Sequence, residues 1–168
     1  TRLDDAMVQR FNTSGAWVGA TLGEMASRLA QEAPDRTAVV DGPLTVSFGD
    51  LFQRAVRLVG ALQRRGLQAG EVISFQLPNW HEAMVINLAS ALGGFVCNPI
   101  VPIYRDAEVG FILQHSRTRV LFIPASFRSM DYVEMVRRLK PNLPSLDHVV
   151  LVRSAVLPKD HAAYEAWL

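Results

Sequence analysis

The chain has 168 residues, of which 49% are hydrophobic and 20% are charged, a composition typical of a folded domain rather than a disordered segment. Seventeen Lys and Arg residues against sixteen Asp and Glu residues give a net charge of +1. This balance argues against a protein that binds nucleic acid or anionic lipid mainly through excess positive charge. The single cysteine, Cys97, excludes a disulfide framework and a thiolate metal site.

The first twenty residues are interpreted as an N-terminal extension in which Asp4 and Asp5 lie in an exposed tail. They show no basic segment followed by an apolar one, so a cytoplasmic location is expected. Thr21, followed by Glu24 three residues later, forms a capping-box pattern. This pattern predicts a first helix, which ends before Pro34.

A hairpin and a second helix follow. Asp41 and Gly42 lie between two short β-prone runs, which is the pattern of a small β-hairpin. Ser47 is the predicted N-cap of a second helix, which closes at Gly66 because glycine tolerates the positive φ found there. The apolar run EVISFQL after this helix predicts a buried strand.

Three more pairs of helix and strand are predicted along the rest of the chain. The predicted N-caps of the helices are Asn79, Asp106 and Asp131. The predicted strands have the sequences FVCN, RVLFI and HVVLV, and the terminal segment HAAYEAWL is interpreted as the opening of another helix.

The alternation of strands and helices predicts an α/β fold, with a mostly parallel sheet covered by helices on both faces and a small hairpin near the N-terminus. We expect an extension over residues 1–20, an α/β subdomain over 21–153 and the start of a continuation over 154–168. The uncharged run from Ala83 to Tyr104 is interpreted as a buried helix and strand, since Gly93 and Pro99 interrupt it.

The residue types and their spacing identify no catalytic group and no metal site. Histidines 81, 115, 148 and 161 include no pair at the spacing of zinc ligands on one helical face. Phosphate binding would need a glycine-rich loop that leads into a helix. The two candidates are Gly93 with Gly94, which have no lysine nearby, and the segment 13–15. Neither is expected to bind phosphate.

The order of these elements resembles the N-terminal part of the AMP-forming adenylating enzymes, which include acyl-CoA synthetases, nonribosomal adenylation domains and luciferases. The resemblance covers residues 20 to 153. The stretches that carry it most clearly are LPNWHEAMVINLASALGGFVCNPIVPIYR and DYVEMVRRLKPNLPSLDHVVLV. They are most similar to bacterial ligases of fatty or alicyclic acids, with cyclohexanecarboxylate-CoA ligase as the nearest type.

The resemblance implies chemistry in two steps. ATP and a carboxylic acid give an acyl-adenylate and pyrophosphate, and the thiol of coenzyme A then displaces AMP, with Mg²⁺ as the metal. The family's lysine-ended phosphate loop, adenine-binding and ribose-binding residues and catalytic lysine have no counterpart in this sequence. They are expected downstream of Leu168, so the chain alone is expected to be inactive and to bind no cofactor.

Two alternative functions remain open at this point. A domain that loads a carrier protein would differ from a coenzyme A ligase only in regions outside this sequence. A non-enzymatic α/β module that binds a nucleotide or a partner would be favoured if the natural gene ended near Leu168. The oligomeric state is also open, with a homodimer as one alternative.

One residue is singled out as a binding candidate. Arg105 ends the stretch FVCNPIVPIYR, a strand followed by a loop with two prolines, at the edge of the sheet where α/β proteins place ligands. The hypothesis is that Arg105 contacts a phosphate of coenzyme A, against the simpler interpretation of a surface arginine. Asn79 is interpreted as a helix cap, and Trp80 is expected to pack under the loop or near an interface.

Overall fold

The computed structural model describes residues 4–155, 158 and 161–168. The helices are α1 (Asp5–Thr13), α2 (Leu22–Glu32), α3 (Phe48–Arg64), α4 (His81–Gly93), α5 (Asp106–His115) and α6 (Tyr132–Leu139). The strands are β1 (Thr37–Asp41), β2 (Leu44–Ser47), β3 (Val72–Phe75), β4 (Val96–Pro99), β5 (Val120–Pro124), β6 (Ser126–Phe127), β7 (Met130–Asp131), β8 (His148–Val152) and β9 (Ala162–Ala163). Short 3-10 turns span Lys140–Asn142 and Tyr164–Trp167.

The main sheet has five strands in the order β4-β3-β5-β8-β9, and every neighbouring pair in it is parallel. Strands β1 and β2 form the small antiparallel hairpin, and β6 pairs with β7 in a second one. The predicted α/β class, the mostly parallel sheet and the N-terminal hairpin are therefore confirmed.

The sheet separates two hydrophobic cores. In the central strand β5, Val120 and Phe122 pack with α3 and α4, whereas Leu121 and Ile123 pack with α5 and α6. All four side chains are completely buried. A parallel strand covered on both faces is expected to be apolar throughout, which explains the uninterrupted run VLFIP.

The uncharged run between residues 83 and 104 forms most of α4, then β4 and the loop after it. Within the described residues, the helices are too short or too polar for any of them to cross a lipid bilayer. The absence of charge follows from burial, because one side of α4 contributes Val85, Ile86 and Ala89 to the core.

Both ends of the chain differ from the sequence interpretation. Asp4 and Asp5 do not lie in a tail, because Asp4 caps α1 by accepting a hydrogen bond from the backbone N–H of Met7 at 2.7 Å. The C-terminal segment forms β9 and a 3-10 turn rather than the start of an α-helix. Burial of Tyr164 and Trp167 against the ring of Phe122 explains this conformation, since both aromatic side chains complete the core.

Two of the predicted helix caps are wrong. Asn79 is not the N-cap of α4, since the N-cap residue is Trp80 and the first backbone N–H, of His81, donates to the Asp41 carboxylate instead. Asp106 is the first residue of α5, which is preceded by Arg105 at the N-cap position. The predicted caps at Thr21, Ser47 and Asp131 are confirmed.

Gly93 and Gly94 shape the turn from α4 into β4. Gly94 has a φ of +68°, the left-handed conformation that commonly ends a helix. A Cβ atom on Gly93 would lie 2.2 Å from Cε2 of Phe95, whose side chain is buried. The pair ends a helix instead of leading into one, so it is not a phosphate-binding loop.

Replacement of Gly93 by alanine is expected to lower the free energy of unfolding by about 1–3 kcal/mol, because the added methyl group displaces the buried Phe95 ring. Gly60→Ala is the matched control, since its methyl group meets only the flexible end of Arg64 at 3.2 Å. We expect this control to gain up to about 1 kcal/mol from helix propensity. Urea unfolding followed by circular dichroism measures the free energy of unfolding of both variants. An equal change in the two variants would contradict the close approach of Phe95.

Candidate functional site at the carboxyl edge of the sheet

The parallel strands all end at one edge of the main sheet, where the loops after β3, β4, β5 and β8 meet. Ligands of open α/β sheets usually bind in the crevice beyond these carboxyl ends. The sequence candidate Arg105 lies here, at the end of the loop that joins β4 to α5. We call residues 100–105 the prolyl loop.

The prolyl loop begins inside the protein and then turns outward. Ile100 is buried, and its backbone N–H donates to the carbonyl oxygen of Phe75 at 2.8 Å. Val101, Ile103 and Tyr104 are exposed. Pro102 restricts the backbone of the turn, which lowers the entropy that the loop loses when it is ordered.

Two buried side chains hold the backbone of the prolyl loop. Gln76, which follows β3, donates two hydrogen bonds from Nε2 to the carbonyl oxygens of Val101 at 3.1 Å and Tyr104 at 3.0 Å. Tyr132, at the start of α6, donates from its hydroxyl to the carbonyl oxygen of Pro102 at 3.0 Å. The shape of the loop is therefore set by contacts with two other elements.

Arg105 continues this network onto the surface. Its Nη1 atom donates to the carbonyl oxygens of Pro102 and Tyr104, both at 2.9 Å. Its backbone N–H donates to the carboxylate of Glu108 at 3.1 Å. Among the described residues, its Nε and Nη2 groups make no hydrogen bond, so one edge of the guanidinium is available to an acceptor from solution.

A second arginine, which the sequence interpretation missed, lies within electrostatic range of Tyr132, as Arg105 does. Arg128 is exposed in the turn between β6 and β7, where its φ is +53° and its guanidinium lies 5.4 Å from the ring centre of Phe127. Burial raises the pKa of the Tyr132 phenol, and the positive charges of Arg105 and Arg128 both oppose that rise. Both guanidinium groups therefore lie close enough to Tyr132 for their charges to act on its phenol.

A separate group of charges lies where β8 ends. Arg153 donates from Nε and Nη2 to the two carboxylate oxygens of Glu82, at 2.7 and 2.8 Å, and also forms an ion pair with Asp41. Asp41 accepts a hydrogen bond from the backbone N–H of His81 at 3.0 Å. We call Asp41, His81, Glu82 and Arg153 the Arg153 cluster.

The Arg153 cluster joins the N-terminal hairpin, the start of α4 and the end of β8. The ligand atoms of Asp41, His81 and Glu82 lie within 4.8 Å of one another, as in a metal site. The guanidinium of Arg153 already supplies the positive charge between them, so this group does not fit Mg²⁺. It is the one such cluster in the part of the chain that the structure describes.

Trp80 links the two regions of the edge. The guanidinium carbon of Arg153 lies 4.3 Å from the ring centre of Trp80, within the range of a cation–π interaction. The indole also meets the ring of Phe127 edge-on at 5.9 Å. Trp80 therefore packs between the Arg153 cluster and the β6–β7 hairpin that carries Arg128.

The other residues considered from the sequence are not brought together. His115 stacks on Phe111, and His148 lies against Trp167. Burial raises the pKa of the Cys97 thiol, which keeps it protonated and makes it a poor nucleophile. In segment 13–15, Ser14 and Gly15 end α1, so this segment also does not lead into a helix.

A family profile of AMP-binding enzymes matches residues 26–167. The chain belongs to this family. It is 31% identical over 141 residues to the medium-chain fatty-acid–CoA ligase of Escherichia coli K12, covering 83% of this chain and 25% of that protein. It is 32% identical over 146 residues to the salicyl-AMP ligase / salicyl-S-ArCP synthetase of Mycobacterium tuberculosis, covering 84% of this chain and 26% of that protein.

Among solved structures, acetoacetyl-CoA synthetase from Streptomyces lividans superimposes with a TM-score of 0.80 at 27% identity, covering 88% of this chain and 24% of that one. This chain therefore spans about a quarter of the length of the relatives it matches. The match confirms the resemblance to the N-terminal region of the adenylating enzymes.

The pKa of Asp41 in the Arg153 cluster predicts a specific pH dependence of stability. The backbone and ring of His81, together with Arg153, lower the pKa of Asp41 from 3.8 to about 2. A carboxyl group with a lowered folded-state pKa stabilises the fold above its unfolded value and loses that contribution as the pH falls through the folded value. The contribution is therefore lost between about pH 4 and pH 2.

Asp41→Asn is expected to be less stable than the wild type by about 2 kcal/mol above pH 5, and this difference should shrink toward pH 2. Urea unfolding of both proteins at several pH values measures this difference in the free energy of unfolding. Asp35→Asn, at an exposed position, is the control, with no pH-dependent difference expected. A difference between Asp41→Asn and wild type that stays constant from pH 6 to pH 2 would contradict the role assigned to Asp41.

Proposed function

We propose that this chain is the N-terminal part of an ATP-dependent acyl-CoA ligase. The complete enzyme would join a carboxylic acid to AMP with release of pyrophosphate, and would then transfer the acyl group to the thiol of coenzyme A. Membership in the AMP-binding family and the similarity to a fatty-acid–CoA ligase support this proposal. Residues 21–153 would form its first α/β subdomain.

The observation that carries the proposal for this chain is the pair Arg105 and Arg128 at the carboxyl edge. Neither forms a salt bridge with another described residue, and both are exposed. Coenzyme A carries a 3′-phosphate and a diphosphate, and guanidinium groups bind phosphate oxygens through paired, charge-assisted hydrogen bonds. We assign the pair to a phosphate of coenzyme A.

ATP and Mg²⁺ would act through other parts of the enzyme. The described residues provide no glycine-rich loop with a lysine before a helix, and the carboxylates of the Arg153 cluster are already paired with Arg153. We infer that the 168-residue chain alone does not adenylate an acid. Its contribution to the chemistry is to bind and orient coenzyme A.

The acid is proposed to be a fatty or alicyclic one, and cyclohexanecarboxylate is the narrowest form of this proposal. The similarity to the medium-chain fatty-acid–CoA ligase supports the broader class, and the stretch LPNWHEAMVINLASALGGFVCNPIVPIYR suggests the narrower one.

The absence of a disulfide framework fits a cytoplasmic enzyme. A homodimer remains one of the alternatives for its assembly.

A second function is an adenylating domain that loads a carrier protein. The sequence identity of 32% to the salicyl-AMP ligase / salicyl-S-ArCP synthetase favours this alternative. The exposed arginine pair favours coenzyme A, because its free nucleotide end offers a 3′-phosphate. A thiol-acceptor assay with free coenzyme A separates the two functions.

The test uses ATP–pyrophosphate exchange and thioester formation, measured on this chain and on the product of its full reading frame with a panel of fatty and alicyclic acids. Only the longer product should catalyse exchange, and it should form acyl-CoA. Exchange by the 168-residue chain would overturn the assignment of adenylation to other parts of the enzyme. Failure of both products to catalyse exchange would favour a non-enzymatic α/β binding module.

In the full-length product, Arg105→Ala and Arg128→Ala are each expected to raise the KM for coenzyme A about tenfold, since each removes a charged hydrogen bond to phosphate. Acid-dependent exchange should stay unchanged, because coenzyme A takes no part in that step. Arg28→Ala, on the exposed surface of α2, is the matched control. An unaltered KM in both site variants would contradict the phosphate contact.

A further inference from the structure

The guanidinium of Arg105 is held through two carbonyl oxygens that also accept hydrogen bonds from inside the protein. The Tyr104 oxygen accepts from both Gln76 and Arg105, at 3.0 and 2.9 Å. The Pro102 oxygen accepts from both Tyr132 and Arg105, at 3.0 and 2.9 Å. Each carbonyl therefore connects one buried side chain to the exposed arginine.

The orientation of the Gln76 amide is fixed by its partners. Nε2 faces two carbonyl oxygens, so rotation of the amide by 180° would place Oε1 against two other acceptors. In the observed orientation Oε1 is buried and has no hydrogen-bond partner among the described residues. Gln76 itself is completely buried.

A buried acceptor without a partner is destabilising, and an apolar side chain at the same position would not carry one. The burial of this acceptor is offset only by the two hydrogen bonds that Nε2 donates to the prolyl loop. Local violations of this kind are typical of positions that serve a site. What the amide provides here is a fixed position for the prolyl loop.

We propose that Gln76 and Tyr132 are positioning residues for Arg105. By fixing the carbonyl oxygens of Tyr104 and Pro102, they hold the guanidinium so that its Nε and Nη2 hydrogens face an incoming phosphate. This inference rests on the proposed function, in which Arg105 contacts coenzyme A. Holding a long, flexible side chain in place before binding reduces the entropy lost on binding, and so raises affinity.

The test compares Gln76→Met, which keeps the length of the side chain and removes the amide, with Tyr132→Phe, which removes only the hydroxyl. Ser74→Ala is the matched control. Ser74 is a buried polar residue of β3 whose hydroxyl bonds to Thr118 at 2.6 Å and accepts from Asn98 of β4 at 2.9 Å, but makes no hydrogen bond to the prolyl loop. All variants are made in the product of the full reading frame.

Two measurements are made on each variant. Hydrogen exchange of the loop peptide reports the order of residues 100–105, and calorimetry gives the Kd of coenzyme A. Gln76→Met should speed hydrogen exchange of the loop and raise the Kd of coenzyme A about fivefold to tenfold. This is the change in affinity that corresponds to the net free energy of about one hydrogen bond. Tyr132→Phe should change both in the same direction by about half as much on a logarithmic scale. Ser74→Ala should change neither.

A double-mutant cycle separates positioning from a general loss of stability. In the Arg105→Ala background, Gln76→Met should cause no further rise in Kd, because the residue through which it acts is absent. A full additional rise would mean that Gln76 affects binding independently of Arg105, which would overturn the inference.

The remaining outcomes distinguish the inference from the proposed function. Unchanged loop exchange in Gln76→Met and Tyr132→Phe overturns the positioning role, whatever the Kd values are. A higher Kd in Arg105→Ala with an unaltered Kd in both positioning variants also overturns it, and leaves the coenzyme A contact intact. An unaltered Kd in Arg105→Ala overturns the coenzyme A contact, while loop exchange still decides whether the two residues fix the loop.

Discussion

The parallel arrangement of the main sheet is the constraint on which the rest of the structure depends. It brings the ends of β3, β4, β5 and β8 to one edge, so the backbone that leaves the strands must find hydrogen-bond partners there. Side chains from other elements supply them. Gln76 holds the loop after β4, and Arg153 connects the end of β8 to the hairpin and α4.

Sequence patterns predicted the fold well because most of the elements are set by local rules. The five-residue strand HVVLV and the capping box at Thr21 lie where the pattern placed them. The prediction failed where a distant group competed with a local one. Asn79 is a good cap by residue type, but the carboxylate of Asp41, forty residues away, accepts the first N–H of α4 instead.

The candidate site was only partly predictable for the same reason. Arg105 could be found because it ends a loop with Pro102 that directly follows a strand ending in Pro99. Its partners could not, since Gln76 contacts the loop across 25 and 28 residues and Tyr132 does so across 30. Examining the residue after every parallel strand would have singled out Gln76 and Arg153, which both lie directly beyond their strands. Arg128 would still have required the β6–β7 turn.

A cationic site for a phosphate of coenzyme A at the carboxyl edge is the central claim, and its most direct test is a map of where coenzyme A binds. Backbone amide shifts of the full-length protein would be followed by NMR during titration with coenzyme A and with dephospho-coenzyme A. The account predicts the largest shifts in residues 100–108 and 126–132, and weaker binding without the 3′-phosphate. Shifts centred on the Arg153 cluster or on the opposite edge of the sheet, with equal binding of both ligands, would contradict it.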